Sequence, residues 1–324
     1  MSKWSPIGSL VFAAALTACG SSPNSNAHPA TAREQDSAPL DLQVPSGTAL
    51  RQLRFAMVAI DNGQYRRAIE LLSKLRVELP NNAVLLHELA LAHRLAHQPQ
   101  RAVALLGPFR NQLSAELLAS YCSALDESGK RQEAEAALRE GIVKYASSGL
   151  LRSELGTLLS NSGRVPEAVQ QYELGIKAEP QVPSNYYNAA RLLADGSRRG
   201  MSLIYGEIFR LLEPDSIRSR KLAETLAKTA AAAVRVERNG DKVNTVISLA
   251  PGAVNLAKTP FKELAFENAF EMTFGLALAK TRAEGFSLGS LHEARAAFLP
   301  ILRDPESPSS LLSQPLLRWL IALD

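Results

Sequence analysis

A short turn recurs along the chain at a near-constant interval. It reads Asp61-Asn62-Gly63-Gln64-Tyr65, then Ala96-His97-Gln98-Pro99, Glu127-Ser128-Gly129-Lys130 and Asn161-Ser162-Gly163-Arg164. With Gly63, His97, Gly129 and Gly163 taken as equivalent, the steps are 34, 32 and 34 residues. Such self-similarity marks a chain whose units cannot bury an apolar face alone and must stack on one another. Each turn is followed by a small residue (Ala68, Ala102, Ala134, Ala168) and preceded by another (Ala56, Ala90, Cys122, Gly156). Two antiparallel helices approach closely only where small side chains sit at the crossing, with leucines filling the groove at helical spacing. The turn itself needs a residue tolerant of positive φ, which explains the recurring glycine. Pro80 and Pro180 close the first and fourth units, because proline cannot continue a helix. Aromatics make up only 6% of the 324 residues, so helices are favoured over a sandwich or barrel.

On these residues the chain resembles the tetratricopeptide repeat (TPR), whose pattern has small residues at the eighth and twentieth positions and proline at the thirty-second. The units fall at about 49–82, 83–114, 115–148 and 149–182. A fifth, at 183–216, keeps Tyr186, Ala190, Ser202 and Pro214 but replaces the usual turn with Asp195-Gly196-Ser197-Arg198-Arg199-Gly200. The resemblance implies an all-α fold: a right-handed TPR superhelix of about five helix-turn-helix units, followed by a helical C-terminal region. It also implies a concave groove that binds protein partners. In that register the groove is lined by Met57, Ile60, His87, Leu91, Arg94, Ser123, Asp126, Thr157, Ser160, Asn161, Tyr187 and Arg191. The Lys/Asn/Arg set with which some TPR domains grip a terminal carboxylate is not reproduced, so an extended or helical partner segment is expected. Cys122 takes a small crossing position and is expected to be a buried, unreactive thiol.

Ahead of the repeats lies a different kind of signal. Lys3 precedes an apolar stretch from Ile7 to Leu16, too short to span a bilayer but suited to a signal peptide. It ends in Leu16-Thr17-Ala18-Cys19, which resembles the lipobox of bacterial lipoproteins. The resemblance implies cleavage before Cys19 and lipidation of Cys19, leaving residues 1–18 as signal peptide. Each buried methylene contributes about 0.8 kcal/mol, so two or three acyl chains anchor stably where one does not. An aspartate just after the lipidated cysteine tends to retain such proteins at the inner membrane; Gly20 stands here, so the outer membrane, facing the periplasm, is the expected location. Residues 19–48 are rich in Ser, Pro, Asn and Asp without an apolar period, and read as the lipidated cysteine and a flexible linker reaching about 30 Å. With Cys19 lipidated, Cys122 has no disulfide partner.

Beyond the repeats, residues 215–238 read as a long helix capped by Asp215 or Ser216, with Leu222, Leu226, Ala230, Ala233 and Val234 on its apolar side. Thr259-Pro260 opens another helix, on which Phe266, Phe270 and Phe274 fall one turn apart. Ser290 to Glu293 is a capping box, and a short amphipathic helix containing Trp319 lies near 314–322. Residues 217–324 are thus an all-helical C-terminal region.

The search for chemistry finds no catalytic set. His87-Glu88-Leu89-Ala90-Leu91 begins like a zincin motif, but Leu91 stands where the second histidine is required. His93 and His97 are one helical turn apart, yet one falls at an inward position and the other at the turn, so no metal site is expected. Glu263, Glu267 and Glu271 form a carboxylate row that reads as a solvated helix face. No nucleophile elbow, phosphate loop or paired CxxC occurs. Basic residues Arg198, Arg199, Arg218, Arg220, Lys221 and Lys228 concentrate after the fifth unit, a candidate contact patch for an acidic partner or membrane phosphate. The net charge of +4 is too small to argue for nucleic acid. The sequence therefore points to a non-enzymatic, membrane-anchored scaffold without cofactors, binding protein partners in assembly or secretion. The alternative is an enzyme or ligand-binding module within 217–324, with the repeats as its docking platform.

Overall fold

The computed structural model describes residues 39–239, 242–247, 269–270, 272–274, 296–298 and 300. The signal peptide, Cys19, the glutamate row at 263, 267 and 271, Phe266, the 290–293 capping box and Trp319 lie outside the described residues. The first ten helices form five hairpins: α1 (Gly47–Asp61) with α2 (Tyr65–Glu78), α3 (Ala83–Leu95) with α4 (Pro99–Leu106), and α5 (Ala115–Glu127) with α6 (Arg131–Lys144). They continue with α7 (Gly149–Asn161) and α8 (Val165–Ala178), then α9 (Pro183–Leu193) and α10 (Arg199–Leu212). These are consecutive TPR-type units, and their first helices start within two residues of the boundaries read from the sequence.

The turns explain the register. Gly63, Gly129 and Gly163 have φ of 74°, 83° and 76°, and His97, their equivalent, has φ 56°. Every small crossing residue is sealed: Ala56, Ala68, Ala90, Ala102, Ala134 and Ala168 are 0% exposed and Cys122 is 1%. At Gly156 a Cβ would stand 2.5 Å from Tyr172 Cε1, so the ring occupies the space that any side chain there would need. The fifth hairpin closes with Ser202 Oγ donating to the Ala190 carbonyl at 2.7 Å, joining its two small positions.

The chain divides into two compact units, the first ending within α6 at Gly141 and the second starting at Ile142. In the first, α1 to α5 pack in sequence around Leu53, Leu72, Leu85, Leu86 and Leu106. Its N-terminal residues differ from the linker expectation, because the segment from Leu40 to Gln43 is pinned to the body. Asp41 N donates to Asn81 O at 3.0 Å, Ala83 N donates to Asp41 O at 2.8 Å, and Leu40 N donates to Gln112 Oε1 at 2.9 Å. Asn82, 2% exposed, ties the arrangement together. Its Oδ1 accepts from Leu85 N to cap α3, while its Nδ2 donates to Asp41 Oδ2 and Gln43 O.

In the second unit, α7 to α10 are followed by α11 (Ile217–Ala233), capped by Ser216, whose Oγ accepts from Ser219 N. Gly206 in α10 lets Leu226 of α11 come close; a Cβ there would lie 2.5 Å from Leu226 Cδ1. The helix ends earlier than the apolar pattern implied. Residues Val234–Asn239 (β1) and Lys242–Ile247 (β2) form an antiparallel hairpin instead, with Val234 opposite Ile247. Of the three phenylalanines expected one turn apart, Phe270 and Phe274 stack at 5.8 Å between ring centroids, and Phe298, which the sequence did not single out, meets both edge-on. Phe270 rests on Gly200 of α10. Among the described residues no helix is long and apolar enough to cross a membrane.

Candidate protein-binding faces of the repeats

A repeat's core uses the crossing positions and the leucines around them, so the other face of each first helix is free of that demand. In the first unit the expected groove residues divide. Ile60 is 7% exposed and belongs to the core, which corrects its assignment to the groove. Met57, His87 and Leu91 are half-buried on α1 and α3. His87 Nδ1 lies 3.3 Å from Ser120 Oγ on α5, and burial pushes its pKa below the ordinary value. Arg94 is already engaged by a two-pronged pair with Glu127, at 3.1 and 2.7 Å, and Arg131 holds Asp126 at 2.7 Å. On α3, following His87, is Glu88, part of the incomplete zincin-like stretch. Glu88 has its carboxyl raised to about 7, first by burial and then by the negative charge of Asp61.

In the second unit Thr157 turns inward, its Oγ1 3.2 Å from the Tyr172 hydroxyl and donating to Ser153 O. Ser160 is half-buried and Asn161 is exposed at the end of α7. Tyr187 and Arg191 are brought together: the Arg191 guanidinium lies 5.4 Å from the Tyr187 ring centroid. The opposite support comes from α10 and α11. Phe209 packs against Tyr187 at 5.1 Å between centroids, and Arg218 lies 5.3 Å from the Tyr187 ring and 5.4 Å from Phe209. Arg218 is itself fixed by a two-pronged bond to Glu213 and by Ser184 Oγ at 3.2 Å. Glu213 is held below its usual carboxylate range, because the Arg218 and Ser216 bonds outweigh the opposing effect of burial, the largest single influence. Tyr187 is thus a half-buried aromatic plate with a buried backing and an exposed arginine at its edge.

The basic cluster is partly neutralised. Arg198 pairs with Glu173 at 2.5 Å and Arg218 with Glu213, whereas Arg220, Lys221 and Lys228 stand exposed on α11. Burial, then the Glu173 charge, pushes the Tyr205 hydroxyl up; that hydroxyl donates to Glu173 at 3.0 Å. His93 is buried with Nδ1 3.2 Å from Gln98 Oε1, and His97 is exposed at the turn. Among the described residues no group of three or more His, Cys, Asp or Glu side chains is placed to hold a metal ion. Cys122 is buried and forms no disulfide among the described residues.

No family model matches the sequence, and no curated protein matches it. Among solved structures, TTC0263, a thermophilic TPR protein in Thermus thermophilus, is 15% identical, covering 55% of this chain and 99% of its own, with a TM-score of 0.48. PilW, a widely conserved type IV pilus biogenesis factor, is 15% identical over 58% of this chain and 93% of its own, TM-score 0.44. YrrB, a TPR protein with an unusual peptide-binding site, is 17% identical over 54% and 92%, TM-score 0.35. The fold rests on the hairpins, turns and crossings described above.

Proposed function

We propose that this chain is a non-catalytic scaffold, lipid-anchored through Cys19 in the bacterial envelope, that holds segments of partner proteins on the first-helix faces of its repeats. The observation that carries the binding reading is the Tyr187 plate. A tyrosine backed by Phe209 and Arg218 and edged by an exposed Arg191 presents a rigid, half-exposed aromatic surface and does nothing for the repeat crossing. Rigid aromatic and arginine side chains of this kind dominate the energetics of protein interfaces. The partner segment is extended or helical, laid across α7, α9 and α11. The anchoring reading is supported by the Leu16-Thr17-Ala18-Cys19 motif and the polar residues after it, and Gly20 favours the outer membrane, facing the periplasm. A role in assembly or secretion at the envelope fits such an anchored binder.

Crosslinked pull-downs from membranes test the binding surface. The variants are Tyr187→Ala with Arg191→Ala, set against Arg94→Ala, whose guanidinium is already paired. Partner recovery is expected to fall about tenfold or more for the first and little for the second. Equal recovery of the same partners by all forms would remove the plate from the binding surface. Separately, Cys19→Ser is expected to move the protein out of the membrane fraction, and retention there would end the lipoprotein reading.

A further inference from the structure

In the first unit, away from the faces above, α2, α3 and α4 line an open cleft of about 250 Å³. Its walls are Ser73 and Arg76 from α2 and Arg101 from α4, with Leu89, His93 and Leu105 beneath them. The charge around it is one-sided. Arg76 and Arg101, like Arg54, Arg66 and Arg110 of the same unit, have no ion pair among the described residues, and these two border the cleft. The buried His93 imidazole registers the same imbalance. Burial lowers its pKa first, the Gln98 contact raises it, and Arg101 and Arg76 both lower it, with no acidic group acting in the other direction.

We propose that this cleft is a phosphate-binding site, in which one phosphate group sits between the Arg76 and Arg101 guanidinium groups, above His93 and within reach of the Ser73 hydroxyl. Two guanidinium groups from different helices border one concavity, and an anion placed between them is attracted by both. A carboxylate is planar, carries one charge and is matched by a single arginine fork. A phosphate is tetrahedral, carries up to two charges and accepts from several diverging donors, which suits two arginines and a hydroxyl. A volume several times the roughly 30 Å³ share of one water admits the group with part of its hydration. The phosphate comes either from a small solute or from a lipid headgroup, and this site is independent of the Tyr187 plate.

The test follows the ring resonances of His93 by NMR in the full-length protein, held in maltoside micelles, which contain no phosphate. Inorganic phosphate is titrated against chloride at matched ionic strength, and phosphatidylglycerol added to the micelles forms a second arm. Saturable movement of the His93 signals with inorganic phosphate, together with a rise in its pKa as the anion offsets the two cations, supports the site with a soluble ligand. Movement with phosphatidylglycerol alone supports it with the headgroup as the source. In Arg76→Gln/Arg101→Gln, whose exposed side chains are not needed for folding, the affinity is expected to fall about tenfold or more. A response equal in chloride, undiminished in the double variant, or absent in both arms overturns the proposal. Circular dichroism of the double variant confirms that any loss is not unfolding.

Discussion

At the scale of single residues, the repeat is enforced by a few positions with one permissible conformation. His97 alone among the four turn residues adopts a left-handed φ with a side chain attached. That conformation costs an ordinary residue about 1–2 kcal/mol, and the exposed His97 ring buries little in return. His97→Gly is therefore expected to stabilise the first unit by about 0.5–1 kcal/mol after glycine's greater chain entropy is set against it. Gly129→Ala is expected to lose about as much, and urea unfolding measures both. Glu88 gives a pH signature. Its folded pKa of about 7 exceeds its ordinary 4.5, so the folded state binds the extra proton between those values. Stability from this group is full below about 4.5 and is lost as pH rises through 7. Glu88→Gln should flatten the pH dependence of the unfolding midpoint in that window. The turns and crossings were legible because each demands a rare residue type at fixed spacing. Glu88 was not, since its raised pKa comes from burial in the fold and then from the charge of Asp61, one repeat earlier, and not from its own neighbours in sequence.

At the scale of elements, legibility followed periodicity. The five hairpins repeat an apolar helical spacing and were placed nearly to the residue. The N-terminal segment was read as linker because Asp41 and Gln43 hold it through backbone and amide hydrogen bonds, which leave no apolar period. The strand pair at 234–247 was legible in principle: Val234 and Val236 alternate with Arg235 and Glu237, and Gly240-Asp241 is a two-residue hairpin signal. The alanine run ending α11 masked it by extending the helical pattern. Of the residues expected in the groove, Tyr187 and Arg191 lie against each other, while Arg218, which backs Tyr187, was assigned only to a charge cluster. The capping element yields a third expectation. Asn82→Ala removes the α3 cap and both bonds to the N-terminal segment, costing about 1–3 kcal/mol. Asn82→Asp, which keeps the capping oxygen but not the amide donor, is expected to recover part of that loss in the same unfolding experiment.

At the scale of the whole molecule, two compact units are each built from nearest-neighbour contacts between successive helices. Stability in such arrays is a sum of unit and neighbour terms, so damage stays local. Leu86→Ala, which empties a fully buried site, is expected to cost about 2–5 kcal/mol. Hydrogen exchange should show lost protection chiefly in α1 to α5, with α9 and α10 little changed. Uniform loss across both units would show that the chain unfolds as one cooperative body.

The pinned N-terminal segment also decides how the protein takes a mechanical load. A pull applied ahead of residue 39 reaches Asp41 before it reaches α1, and Asp41 is bonded to Asn81 and Ala83 at the joint between the first and second hairpins. Tension is therefore delivered to a corner of the body, and the first helix is not unwound turn by turn from its end. The same few hydrogen bonds that look like a loose end being tidied act as a strain relief, of the kind that keeps a cable from being torn out at its plug.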